Sequence, residues 1–145
     1  MAGFYHPIVE TQAIPLKKGV IELLDWLKEN NIPIAVASST PKDLAKSKLT
    51  LAGIFHYFDS MSNGCEVNKG KPDPEIFLLA ANRLGIAPKD CLAFEDSNNG
   101  VISAVYAGMQ TFQIPDLVSP CDDVIKLNHT ICDSLNDALA LIKKN

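Results

Sequence analysis

Apolar residues recur at helical spacing between Gly19 and Asn30, where Val20, Leu23, Leu24 and Leu27 form one stripe, and Asn30-Asn31 is a natural stop. The run Ile32 to Ala37 is short, apolar and bounded by polar residues, which predicts a strand buried on both faces. It leads into Ser38-Ser39-Thr40. Thr40 before Pro41 reads as a helix N-cap with proline in the first turn, and Gly53 closes a helix that would bury Leu44, Ala45 and Leu49. A strand falls within Tyr57 to Ser62, followed by a loop carrying Gly64 and Gly70. Asp73-Pro74 opens a helix with Ile76, Phe77, Leu79, Ala80 and Leu84 apolar, stopping at Gly85. Cys91 to Phe94 is another buried-type strand, and the polar residues Glu95 to Asn99 lead from it into a small-residue helix ending at Gly108. Thr111 to Ile114 and Thr130 to Cys132 are further strands, separated by a loop-like stretch with a short helix. Ser134 with Asp137 three residues on resembles a capping box for a closing helix that buries Leu135, Leu139 and Ile142.

This alternation predicts an α/β fold, a Rossmann-like parallel sheet with helices on both faces. Residues 1–15 show little periodicity and read as a lead-in; residues 16–145 form one domain. Composition supports that count, since 145 residues that are 47% hydrophobic suit a single buried core. Charge narrows the partners. Thirteen basic against seventeen acidic residues give a net charge of -4, with no long block of either sign, so neither nucleic acid nor an acidic membrane surface is an expected partner. Cys65, Cys91, Cys121 and Cys132 never form a C-x-x-C pair, which argues against zinc or a redox motif and for reduced thiols in a cytoplasmic protein. No apolar run approaches the roughly 20 residues of a membrane span.

In an open parallel sheet, ligands bind beyond the carboxyl ends of the strands. Three polar groups are expected there: Ser38-Ser39 after one strand, Lys69-Gly70-Lys71-Pro72 in the loop after the next, and Glu95-Asp96-Ser97 after a third. Together they suit phosphoryl transfer, in which the protein mainly places a phosphate and neutralises its charge. Ser38, Ser39 and the amides that follow would receive phosphate at a helix start. Lys71 would supply a point charge to the transferring oxygens. Glu95 and Asp96 are hard oxygen ligands suited to Mg2+, with Ser97 orienting them. Each feature has a plainer reading: Ser-Ser-Thr as an ordinary cap, one of the two lysines as solvated surface, and the acidic pair as a turn.

In their order and spacing, Ile34-Ala35-Val36-Ala37-Ser38-Ser39, Gly70-Lys71-Pro72-Asp73-Pro74-Glu75-Ile76-Phe77 and Phe94-Glu95-Asp96-Ser97-Asn98-Asn99-Gly100 resemble the second, third and fourth motifs of the haloacid dehalogenase superfamily, and most of all its beta-phosphoglucomutase-like branch. The resemblance runs from about Ile14 to Lys144. It implies a magnesium-dependent phosphatase or phosphomutase that acts on a small phosphorylated metabolite such as a sugar phosphate through an aspartyl phosphate. Lys71 and Ser38 would be catalytic, Ser38, Ser39 and Lys71 would bind phosphate, and Glu95 and Asp96 would bind metal, with Ser97 and Asn99 behind them.

The chain also departs from the family. The first motif, Asp-x-Asp-Gly-Thr, supplies the phosphorylated aspartate, yet no D-x-D occurs in the 145 residues. The helical cap that follows that motif is missing too, and residues 1–15 resemble at most its return linker. The resemblance therefore implies a core without the central nucleophile-bearing strand, inactive by itself. The gap between the strands ending at Ser38 and Glu95 would be filled by the Phe4 to Val9 stretch, by a second copy or a complementing amino-terminal fragment, or by direct pairing of the two strands. The rival reading is a non-catalytic remnant, a phosphate- or metal-binding module or half of a split protein. A response-regulator receiver domain fits less well, because receivers place the acidic pair before the lysine.

Overall fold

The computed structural model describes residues 8–9, 18–115, 120–127 and 129–144. In chain order its strands are β1 (Ile8–Val9), β2 (Ala35–Ser38), β3 (Ser60–Asn63), β4 (Leu92–Glu95), β5 (Gln110–Gln113) and β6 (Thr130–Ile131). The helices are α1 (Val20–Glu29), α2 (Lys42–Leu51), α3 (Glu75–Leu84), α4 (Asn98–Tyr106), α5 (Asp122–Ile125) and α6 (Leu135–Lys143). All six strands join one parallel sheet in the order β3-β2-β1-β4-β5-β6. The expected α/β architecture is therefore present, with no helix among the described residues long and apolar enough to cross a membrane.

The two faces of the sheet differ, and the difference positions the site. Successive strand residues point to opposite faces. Ile34, Val36, Leu92, Phe94, Phe112 and Ile114 build the larger core with α1 and α6, and the Phe94 and Phe112 rings stack at 5.3 Å between centroids. The other face carries Ala35, Ala37, Cys91 and Ala93 against Ile76, Phe77, Ala80 and Ala81 of α3 and Ala104 of α4. Small strand residues let α3 and α4 lie close on the sheet, so their first turns reach the strand ends beneath them.

The gap between β2 and β4 is filled from within the chain. Ile8 and Val9 pair in parallel with Ala35 and Val36 on one side and with Ala93 and Phe94 on the other. Two facing rows of backbone donors and acceptors are thereby satisfied at the centre of the sheet, where an orphan is most costly. This differs from the lead-in reading of residues 1–15: two of them form a central strand, and the others lie outside the described residues. The two described residues of that strand, Ile8 and Val9, include no aspartate.

Several local expectations shift. Thr40 does not cap α2; Pro41 occupies the N-cap position with no side-chain hydrogen bond, while the Thr40 amide donates to Ser38 Oγ at 3.0 Å. Leu44 is half exposed, because Ala45 and Leu49 alone face the sheet. The strand expected over Ile32 to Ala37 is displaced toward the carboxyl end, as are those at Tyr57 to Ser62 and Cys91 to Phe94, so Ser38 and Glu95 are themselves the last residues of strands. Asp73 caps α3 from outside, its Oδ1 accepting from the Glu75 amide at 3.0 Å. Ser134 caps α6 as its spacing suggests, accepting from the Asp137 amide at 3.2 Å.

Candidate functional site

The described part of β1 pairs as far as Val36 and Phe94, and one residue further along lie Ala37 and Glu95. Lys71 bridges them. Its Nζ donates to the Ala37 carbonyl at 3.2 Å and to Glu95 Oε2 at 2.7 Å, and lies 5.1 Å from the centroid of the Phe77 ring. The Glu95 side chain is fully buried and that of Lys71 is only 6% exposed. Two opposite charges taken out of water persist only when paired and hydrogen-bonded, and here a backbone carbonyl and an aromatic face also stand against the ammonium. The two lysines of the loop part as the Gly-Lys-Pro spacing suggests: Lys71 turns toward Glu95, whereas Lys69 is exposed.

The loop that carries Lys71 is braced from α3. The Glu75 carboxylate accepts from the amides of Asn68 at 2.9 Å and Lys69 at 3.2 Å. Ser103 Oγ of α4 donates to the Asp73 carbonyl at 2.6 Å, tying the same loop to the neighbouring helix. Further out, the Arg83 guanidinium grips the Glu66 carboxylate and donates to the Met61 carbonyl at 2.8 Å, fastening α3 to the end of β3. That grip holds the Glu66 carboxyl below its ordinary range.

The acidic turn is built by α4. Ser97 is the N-cap, its Oγ accepting from the Gly100 amide at 3.1 Å while lying 3.5 Å from Glu95 Oε1. Gly100 packs directly on the Glu95 carboxylate, and a Cβ there would stand 2.7 Å from Oε2 and nearer still to Oε1 and Cδ. Glycine is required here by packing rather than by backbone conformation, because the position is helical. Asp96 is half-buried, and Ser97 and Asn99 are exposed. Ser38 is fully buried at the end of β2, next to the carbonyl that Lys71 holds, and Ser39 is exposed beside it.

The predicted residues Ser38, Lys71, Glu95, Asp96 and Ser97 therefore share one edge of the sheet, with Ser39 and Asn99 at its surface. Sequence reasoning overlooked Phe77 under the ammonium, Gly100 over the carboxylate, and the brace at Glu75. All three stand within the motifs quoted above, but only their neighbours in space reveal what they do. It also passed over Gln113, a buried polar residue in a strand, which accompanies Glu95 in register on β5. Glu95 and Asp96 offer two hard oxygen donors, the number magnesium commonly takes from a protein alongside waters. Among the described residues they are not joined by a third acidic, histidine or cysteine ligand.

Residues 4–108 match the family model described as haloacid dehalogenase-like hydrolase. The chain is 37% identical over 125 residues to the "Phosphorylated carbohydrates phosphatase" of Thermotoga maritima, covering 86% of this chain and 50% of that protein. It is 30% identical over 126 residues to "Hexitol phosphatase B" of Escherichia coli O157:H7, covering 87% of this chain and 57% of that protein. Among solved structures, the beta-phosphoglucomutase of Clostridium difficile superposes with a TM-score of 0.72 at 29% identity, over 83% of this chain and 51% of that one. The chain thus spans about half the length of the curated relatives it matches. With the family model covering most of its length and the Lys71–Glu95 junction standing between the β2 and β4 ends, this chain belongs to the haloacid dehalogenase-like hydrolases.

Proposed function

We propose that the chain supplies the phosphate-handling half of a phosphoryl-transfer site, acting as a phosphatase or phosphomutase on a small phosphorylated metabolite of the sugar-phosphate kind. The observation that carries this reading is the buried Lys71 ammonium, held at 2.7 Å from Glu95 and 3.2 Å from the Ala37 carbonyl at the carboxyl edge of the sheet. A cation fixed in advance costs little reorganisation when a phosphate dianion arrives. Ser38 and the amide of Ser39 would receive the non-bridging oxygens, and Lys71 would neutralise the charge that develops on them. The names of the relatives, phosphatases of phosphorylated carbohydrates and of hexitols, support the substrate class.

Glu95 and Asp96 are the residues that would hold Mg2+, oriented by Ser97, with Asn99 at the rim. When bound, the ion would neutralise charge on the phosphoryl group. The chemistry also calls for a nucleophilic aspartate, and the D-x-D that would provide it is not among these 145 residues. On this reading the aspartate comes from another segment or fragment, and the chain alone is inactive. The absence of D-x-D equally favours the alternative of a phosphate- or metal-binding module without catalysis.

Complementation separates the two. The purified chain is assayed against a generic phosphate monoester with magnesium, alone and mixed with an amino-terminal fragment bearing Asp-x-Asp. We expect turnover only in the mixture, abolished by Lys71→Ala. Turnover by the chain alone would overturn the assignment of the missing nucleophile; phosphate binding without turnover in the mixture would favour the binding module.

A further inference from the structure

Gln113 ends β5 in register with Glu95 of β4 and is fully buried on the same face of the sheet. Both ends of its amide are engaged. Nε2 donates to Asn98 Oδ1 at 3.3 Å, and Oε1 lies 2.7 Å from His129 Nε2. Because the amide donates at one end and accepts at the other, it orders the whole chain: His129 must carry its proton on Nε2, leaving Nδ1 bare. That Nδ1 is buried without a hydrogen-bond partner among the described residues, and burial holds the imidazole below its ordinary range, as a neutral ring requires. At the far end, Asn98 Oδ1 also accepts from the Cys121 amide at 3.4 Å.

Asn98 is the first residue of α4, the helix whose Gly100 lies on the Glu95 carboxylate and whose cap is Ser97. The start of α4 is thus pinned at two points, by Ser97 to its own amide and by Asn98 to the neighbouring strand. From this we infer that Gln113 and His129 are positioning residues for the Glu95-Asp96-Ser97 turn, holding the first turn of α4 over Glu95 through the Asn98 side chain. The inference rests on the reading of Glu95 and Asp96 as the metal-binding pair. Such supporting contacts commonly change metal affinity by about ten-fold or more when lost.

The test uses the isotope-labelled chain, magnesium chloride as the probe, and two readouts at Asp96, Ser97 and Gly100: amide shifts during titration, and amide hydrogen exchange. Gln113→Met keeps the volume and removes the amide; His129→Phe keeps a ring and removes the donor; His129→Gln keeps a donor. Leu139→Ala loosens α6 without touching the polar chain and controls for general softening. We expect Gln113→Met and His129→Phe to weaken magnesium binding by about ten-fold and to speed Gly100 exchange by a similar factor, with His129→Gln close to the native chain. Leu139→Ala should affect all amides alike. Unchanged binding and exchange in Gln113→Met, or failure of His129→Gln to restore them, would overturn the proposal. If the native chain shows no response to magnesium, the metal reading fails, and the exchange readout then decides the positioning role by the same criterion.

Discussion

Replacing Gly100 by alanine tests the most crowded contact of the site. On helix propensity alone the change should stabilise α4 by about 0.5–1 kcal/mol. The structure predicts the opposite sign. A Cβ at this position would stand 2.7 Å from Glu95 Oε2 and closer to Oε1 and Cδ, where ordinary contacts begin at 3.4 Å. Relief requires either that α4 lift from the sheet or that the carboxylate turn away from Lys71, which it meets at 2.7 Å. Overpacking of this kind costs roughly 1–3 kcal/mol, and loosening a buried ion pair can add several more. We therefore expect Gly100→Ala to destabilise the chain by about 2–4 kcal/mol net, read from the midpoint of urea unfolding with an unchanged slope. In a Glu95→Ala background the obstruction is gone, and the same substitution should become neutral or mildly stabilising. Asn99→Ala, on the exposed side of the same turn, should shift stability by no more than about 0.5 kcal/mol. A neutral or stabilising Gly100→Ala in the native background, with the Lys71–Glu95 pair intact, would refute the packing argument.

The two lysines of the loop should part sharply. Lys71→Met leaves the Glu95 carboxylate buried without its ammonium and should cost about 3–5 kcal/mol in denaturant unfolding, largely recovered in Lys71→Met/Glu95→Gln, whereas Lys69→Ala should be neutral. Equal losses would undo the assignment. Thiol chemistry offers an independent check of burial: Cys65 and Cys121 are exposed and should react promptly with an alkylating reagent, while buried Cys91 and Cys132 should react only on unfolding. Burial, with Asp90 adding to it, pushes the Cys91 thiol from its ordinary 9.0 to about 11. The unfolded thiol ionises first, so stability should fall as pH rises from about 9 to 11, by up to roughly 3 kcal/mol for this group, and Cys91→Ala should flatten that slope. At the other end of the scale, burial holds the His129 imidazole below its ordinary 6.5, so the unfolded chain takes up this proton first. Stability should then decline as pH falls below about 6.5, less steeply in His129→Gln, by pH-dependent thermal unfolding.

Much of the fold was legible in the chain because its causes are local. The 3.6-residue stripe Val20, Leu23, Leu24 and Leu27 makes α1 wherever it is placed, and all four side chains are buried. Ser134 with Asp137 marks the start of α6, and short apolar runs between polar ends mark β2 and β4. The three motifs placed Ser38, Lys71 and Glu95 at one edge in advance, because a loop after a parallel strand leads to the carboxyl edge of the sheet. The misreadings at Thr40 and Leu44 were local guesses overruled by geometry: the Thr40 amide turned to Ser38 Oγ, and the sheet covered only Ala45 and Leu49 of α2.

What tertiary structure alone decided are the contacts made across the sheet. Lys71 meets Glu95 and Ala37 from 24 and 34 residues away; the Gly-Lys-Pro motif singles it out from Lys69 in sequence, but its partners are given only by the packed structure. Gly100 reads in sequence as an unremarkable helical glycine; only the carboxylate beneath it shows why a methyl group is excluded. Ile8–Val9 lacks any periodicity that could announce a strand, and it becomes one because β2 and β4 present unpaired backbone on both sides of it. Periodicity and capping depend on neighbours within about four residues and so are written in the chain, whereas the pairing of a buried charge or of a two-residue strand depends on which distant segments the packed helices bring together.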